Sequence, residues 1–288
     1  MAMLRPCIFL LLFWCSGCFF GEVERGSTLT GADPWVMGHG GSGFATIDNH
    51  WPDNSELSIE RAIDVLGADG VEVDVQLTAD SVLVLYHDVR LESQTDCRAC
   101  LYEHLWADLR DCRYRGNFAV NVAQSEGIWT LEALVANFAS RAVPPRIFID
   151  MTLPAACSVD VDTGEFFSIF ARRLVQRIRD YDAADWIWIQ LGRLDRLEWL
   201  QALAPELQLA WLGPLSADRL AVAATKGLWG VAEANDRVEK MEVEEAHRLG
   251  LGVIVYEVKI REGMLRAVAK GADAIETENI PLLHSILD

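Results

Sequence analysis

The sequence predicts an α/β fold of the (β/α)8, or TIM barrel, kind on three observations. Short apolar, β-branched runs alternate with amphipathic helical patterns from Pro34 to the C-terminus. One pair of runs, Val71–Val75 and Val82–Tyr86, is separated by a turn too short for a crossover helix, so the two form a hairpin. Counting that hairpin as one barrel position leaves the eight parallel strands that close a barrel.

Composition sets the frame. A chain of 288 residues, 51% of them hydrophobic, can bury one large core. No Pro/Gly/Ser-rich boundary divides residues 34–288, which are expected to be a single barrel domain. The formal net charge of −18, without basic runs interleaved with aromatics, excludes nucleic acid as a partner.

The N-terminus is expected to lie outside the fold. Arg5 precedes the apolar run Cys7–Trp14 and Ser16-Gly17 follows it, the layout of a signal peptide over residues 1–17. The run falls short of the roughly 20 apolar residues that span a bilayer. Cys18, directly after Ser-Gly, resembles the lipid-attachment residue of bacterial lipoproteins, although Cys15 stands where such sites usually have leucine. Residues 18–33 are then a tether, and the protein is an exported cell-envelope lipoprotein (periplasm or outer membrane) that meets the membrane through its lipid. Cys97, Cys100, Cys112 and Cys157 form an even set suited to an oxidising compartment, with three pairings open. Three of them fall between 97 and 112, so a small disulfide-stapled insertion is expected after the hairpin.

Within the barrel, Trp35–His39 enters the glycine-rich loop Gly40-Gly41-Ser42-Gly43. A helix over Ser55–Leu66 follows, with Pro52-Asp53-Asn54 as its cap. On the next strand, Glu72 and Asp74 point away from Val71, Val73 and Val75, because strand side chains alternate. The return strand delivers His87-Asp88. A helix from Thr130 buries Leu131, Leu134, Val135 and Phe138. Strands are then expected at Arg146–Asp150, Trp186–Gln190, Leu207–Leu212, Leu228–Ala232, Gly252–Val258 and Ala272–Thr277. Helices alternate with them at Phe166–Arg179, Leu194–Leu203, Ala217–Thr225, Val238–Leu249 and Gly263–Lys270.

Barrel sites sit at the C-terminal strand ends, which here carry His39, Glu72 with Asp74, and Asp150. Carboxylates facing a barrel interior are costly unless a cation compensates them. Three carboxylates without thiolate suit a hard divalent ion, Mg²⁺ or Ca²⁺. The rival compensation is an ion pair with Lys259 or Arg146. Glu233 and Tyr256, late on their strands, are candidate substrate-binding residues. Asn54 is expected to be a helix cap, and His50, His104, His247 and His284 to be ordinary histidines. Trp186, Trp188, Trp211 and Trp229 fall on strands and are assigned to packing.

Together, Gly38-His39-Gly40-Gly41, Pro52-Asp53-Asn54-Ser55, the run from Gly67 to Val75, Thr78 with Asp80, and His87-Asp88 resemble the glycerophosphodiester phosphodiesterase family. Weaker echoes are Trp129-Thr130-Leu131-Glu132, Ile147–Asp150 and Gly271–Thr277. The resemblance implies a barrel of the phospholipase-C-like phosphodiesterase type and a small phosphodiester substrate. It also implies general acid–base catalysis by His39 and His87 and a metal held by Glu72, Asp74 and Asp150. Imidazole suits both proton roles because its ordinary pKa is about 6.5. Three departures stand out: Gly40 replaces the family's arginine, Asp150 its common glutamate, and Thr152 its lysine, so two cationic phosphate contacts are gone. Thr277–Pro281 also departs from Thr-Asp-x-Pro. The leading expectation is a metal-dependent phosphodiesterase; the alternatives are a silent barrel lipoprotein with a binding role and a phospholipase-D-like lyase.

Overall fold

In the computed structural model, residues 24–44, 49–115, 126–153, 157 and 163–288 are described. The strands are β1 (Trp35–His39), β2 (Gly70–Leu77), β3 (Leu83–Leu85), β4 (Trp129–Thr130), β5 (Arg146–Met151), β6 (Ile187–Leu191), β7 (Gln208–Leu212), β8 (Gly230–Ala234), β9 (Gly252–Val258) and β10 (Ala274–Thr277). The helices are α1 (Glu56–Glu60), α2 (Trp106–Leu109), α3 (Leu131–Ala139), α4 (Thr163–Asp180), α5 (Leu194–Leu203), α6 (Ala217–Thr225), α7 (Lys240–Arg248), α8 (Arg261–Lys270) and α9 (Ile280–Leu287).

The parallel strands close on themselves because β1 pairs with β10 on one edge and β2 on the other. Beyond Glu72, where β1 has ended, β3 takes over that edge of β2 in antiparallel sense. Two carbonyls show the split: Val75 accepts from the Thr152 N–H on the β5 side, Asp74 from the Tyr86 N–H on the β3 side. The hairpin is therefore an appendage of the second barrel strand, as expected. β4, too short to read from sequence, extends it, and Thr130 caps α3 by accepting from the Ala133 N–H at 3.2 Å.

Strand alternation sorts the core. Val71, Val73, Val75, Ile147 and Ile149 pack under the helices, while Met37, Phe148, Trp188, Ala210, Ala232, Ile254 and Ala274 fill the interior. The alanines make room for rings: Trp35 lies 5.1 Å from Trp188 and stacks on Trp229 at 6.0 Å. Trp188 and Trp229 thus close the barrel floor, whereas Trp211 packs on the helix side under the Arg219 guanidinium.

Two expectations are revised. The first helix is capped by Ser55, whose Oγ accepts from the Ser58 N–H at 3.2 Å, and it continues as a π-turn over Arg61–Val65. Part of the expected tether docks on the barrel: the Gly26 N–H donates to the Val268 carbonyl at 2.9 Å and the Leu29 N–H to Asp273 Oδ1 at 2.6 Å. A Cβ on Gly26 would stand 2.4 Å from the Gly271 nitrogen, so glycine permits the strap to lie flat on α8. Residues 1–23, with the expected signal peptide and Cys18, lie outside the described residues. Among the described residues no helix is long and apolar enough to cross a membrane.

The insertion after β3 has its own small core of Tyr86, Leu91, Leu101, Leu109 and Tyr114. Of the three possible pairings, Cys97–Cys112 and Cys100–Cys157 form. The first bridge staples the insertion internally; the second fastens it to the loop after β5.

Candidate active site

At the C-terminal end of the barrel lies a cavity of about 350 Å³. His39, Glu72, Asp74, His87 and Asp150 all line it, so five residues singled out in sequence meet in one place. Register explains the meeting. His39 pairs with Glu72 across β1–β2, and Asp74 pairs with Asp150 across β2–β5, which places them on successive inward-facing rungs, the first shared with Phe148 and Trp188 and the second above those rings.

The carboxylates are buried and crowded. Glu72 and Asp74 are 5% and 6% exposed, and Glu276 at the end of β10 is 3% exposed. Burial first, then the charges of Asp74, Glu276 and Asp150, holds the Glu72 carboxyl well above its usual range. Burial and the same neighbouring acids push Asp150 up to about 7. Glu276 is likewise pushed to about 7 by burial, although Gln190 donates to its Oε1 at 2.5 Å.

Neither proposed cation reaches them. The Arg146 guanidinium lies 4.0 Å over the Trp35 ring, and Lys259 Nζ binds Glu278 Oε1 at 3.0 Å. Their oxygens form a hard-donor set suited to Mg²⁺ or Ca²⁺. The set is open: among the described residues the only trio of potential ligands lying within 4.8 Å of one another is Asp96, Cys97 and Cys112, whose sulfurs are bonded together.

Two small elements position the acids. The Asn54 side chain brackets Asp74, accepting from its N–H and donating to its Oδ2, each at 2.9 Å. Asn54 does so from φ +60°, a conformation asparagine tolerates better than most residues, so its role is not the expected cap. Gly40, at φ +59°, donates its N–H to Glu72 Oε2 at 3.0 Å. A Cβ there would come within 2.8 Å of the Asp53 Cβ, which leaves no room for a side chain at the position of the missing arginine.

The histidines face each other across Phe44, whose ring sits edge-on to both, 4.6 Å from His39 and 5.2 Å from His87. His39 has Glu278 Oε1 at 3.7 Å from Nδ1 and Glu72 Oε2 at 3.8 Å from Nε2. Burial opposes its charged form, but Glu278, Glu276 and Asp74 outweigh burial and raise its pKa. His87 Nδ1 meets Asp88 Oδ1 at 2.8 Å, and with burial again opposed by Asp74, Asp88 and Asp53 its pKa is also raised. Its backbone is fixed from β2, where the Gln76 amide donates to the Tyr86 and Asp88 carbonyls at 2.6 and 2.8 Å.

The other candidates divide. Tyr256 lines the cavity; Glu233 does not. Glu233 is buried behind the tyrosine, accepting from its hydroxyl at 3.2 Å and from the Ala234 N–H at 2.8 Å. Burial and this carboxylate push Tyr256 up to about 12. Three of the four discounted histidines have ordinary partners, His104 the Arg98 carbonyl, His247 the Asp273 carboxylate and His284 the Gly67 carbonyl, whereas the Nδ1 of His50 is buried without a hydrogen bond among the described residues. Glu276, Gln190 and Phe44 were not foreseen. For Glu276 a signal existed, since on β10 it shares a face with Ala274 as Glu72 shares one with Asp74.

Residues 43–282 match the family model described as "Glycerophosphoryl diester phosphodiesterase family". The chain belongs to this family. By that membership it is a phosphodiester hydrolase. Its relatives include the glycerophosphodiester phosphodiesterase of Caldanaerobacter subterraneus, 22% identical over 82% of this chain and 92% of that protein. Another is the uncharacterized protein YqiK of Bacillus subtilis, 25% identical over 79% of this chain and 90% of that one. Among solved structures, an Oleispira antarctica phosphodiesterase in complex with the product sn-glycerol-3-phosphate superposes with a TM-score of 0.75 at 19% identity, covering 88% of this chain and 97% of that one. The family match begins after His39, so the place of His39 in the site rests on the geometry above.

Proposed function

We propose that this chain hydrolyses glycerophosphodiesters or related head-group diesters, with His39 and His87 as general acid and base. Glu72, Asp74 and Asp150 would hold a divalent cation, Mg²⁺ or Ca²⁺. The observation that carries the reading is the pairing of two histidines, His39 half-buried and His87 more exposed, one on either side of Phe44, with crowded carboxylates, Glu72 and Asp74 buried among them, that no Lys or Arg among the described residues pairs with. A bound cation would neutralise phosphoryl oxygens and the acids at once. One imidazole takes the proton of the attacking hydroxyl, either water or the substrate's own neighbouring hydroxyl. The other gives a proton to the alcohol oxygen as the P–O bond breaks. The Oleispira neighbour's glycerol phosphate product supports a diester of that size, and the cavity is on the scale of small-ligand sites.

The test is turnover of glycerophosphocholine by the chain lacking residues 1–17 and carrying Cys18→Ser, with Mg²⁺, Ca²⁺ or EDTA. Metal-dependent glycerol phosphate, lost in His39→Ala and His87→Ala, is the expected result. A cyclic phosphate end product would favour the lyase reading, and no turnover with any metal the silent binding barrel.

Export with lipid attachment at Cys18 is part of the same proposal. The two disulfides support it, since such bridges persist in oxidising compartments. Intact-mass analysis of the mature N-terminus is the measurement; an unmodified Met1 would overturn it.

A further inference from the structure

We propose that Lys259 is the cation that grips the substrate phosphate in this site, brought there by a bulge in β9. The inference rests on the phosphodiesterase reading for its substrate. Its geometry is independent of that reading.

A phosphodiester is an anion, and this cavity is lined by Glu72, Asp74, Asp150, Glu257 and Glu276. Lys259 is the one Lys or Arg among its described lining residues. Strand alternation alone would not have put it there. Along β9, Val253 and Val255 pack under the helices while Ile254 and Tyr256 face inward, so Val258 should face inward and residue 259 outward. The register breaks at this point: Val255 pairs with Ile275 but Val258 pairs with Thr277, so Tyr256 and Glu257 together oppose Glu276. The extra residue is Glu257, in the left-handed region at φ +59°.

The consequence is a switch of faces. Val258 is buried in the outer core, and Lys259 turns to the cavity. The Thr277 hydroxyl donates to the Val258 carbonyl at 2.8 Å and secures the shifted register. An uncommon backbone state beside a site is where such strain accumulates.

Lys259 is also free to act. Its side chain is 57% exposed, and its one ion pair among the described residues, with Glu278, takes at most one of the three ammonium donors. Two remain for phosphoryl oxygens. Position 40 cannot supply a cation, because its Cβ has no space beside Asp53, and position 152 is threonine. The bulge therefore replaces on β9 what β1 and β5 lack.

Wild type, Lys259→Gln and Lys259→Arg would be compared in the full mature chain with Mg²⁺ fixed. Inorganic phosphate would be titrated by calorimetry, and KM and kcat would be measured for glycerophosphocholine. The expected result is phosphate affinity weakened at least tenfold and KM raised similarly in Lys259→Gln, with substantial recovery in Lys259→Arg and an unchanged melting temperature. Phosphate affinity within twofold of wild type in Lys259→Gln would overturn the proposal, whatever the turnover. A wild type that binds phosphate through Lys259 but does not cleave the diester would overturn the phosphodiesterase reading and leave this one standing.

Discussion

Asn54 holds Asp74 at two points, through its backbone N–H and through its Oδ2, each at 2.9 Å. One side chain thereby fixes both the strand position and the rotamer of a candidate metal ligand. Asn54→Gly keeps the φ of +60° accessible but removes both contacts. Cation affinity is expected to fall by roughly 10–100-fold, as for lost outer partners of ligating carboxylates. Calorimetric titration with Mg²⁺ and Ca²⁺ checks it; unchanged affinity would make Asn54 merely structural.

The crowded acids predict an unusual stability profile. Burial and neighbouring acids raise Asp150 and Glu276 to about 7 in the folded chain. The folded state then binds more protons than the unfolded one between the ordinary carboxylate range and that value, so stability falls as pH rises through this window. In EDTA the melting temperature should drop from pH 5 to pH 8. Asp150→Asn should flatten the drop, by on the order of a few kcal/mol. Mg²⁺ or Ca²⁺ should raise the melting temperature more at pH 8 than at pH 5, because the ion competes with protons.

Both histidines titrate above their ordinary range, His39 mainly through Glu278, Glu276 and Asp74 acting against burial. The pH–rate profile should therefore have its optimum on the alkaline side of about 6.5. Glu278→Gln removes a charge that favours imidazolium, so the limb set by His39 moves to lower pH. His39→Asn or His87→Asn should cost about 10²–10⁴ in kcat. Steady-state profiles from pH 5 to 10 decide it.

Gln76 separates positioning from ligation. Its amide holds the Tyr86–Asp88 backbone that carries His87, yet it touches no carboxylate of the site. Gln76→Leu leaves buried carbonyls without a donor, for an expected loss of about 1–3 kcal/mol in stability. It should lower kcat while leaving Mg²⁺ affinity unchanged. A fall in both would place Gln76 in the metal site instead.

What could be read from the sequence follows the range of the forces involved. Alternation within one strand located Glu72 and Asp74 on the inner face, and the βα rhythm located the barrel, because both depend on near neighbours in the chain. Glu233 was misplaced because lateness on a strand does not say which way a side chain turns, and here the carboxylate sits behind Tyr256. The docked strap at Gly26 depends on Val268 and Gly271, far along the chain, and nothing local to residues 24–33 announces it. Lys259 was read as a rival to the metal because the bulge that re-aims it arises from pairing with β10, which composition does not encode.

The two disulfides interleave along the chain, Cys97 with Cys112 and Cys100 with Cys157. Seen as a covalent graph, the backbone between Cys100 and Cys157 is one edge of a closed ring. A single proteolytic cut anywhere inside it leaves one molecule, whose halves carry His39, Glu72, Asp74 and His87 on one side and either Asp150 or only the later strands on the other. Such a nicked protein runs intact on a non-reducing gel and falls into two fragments when reduced, so the two groups of site residues stay covalently joined after a break in the chain between them.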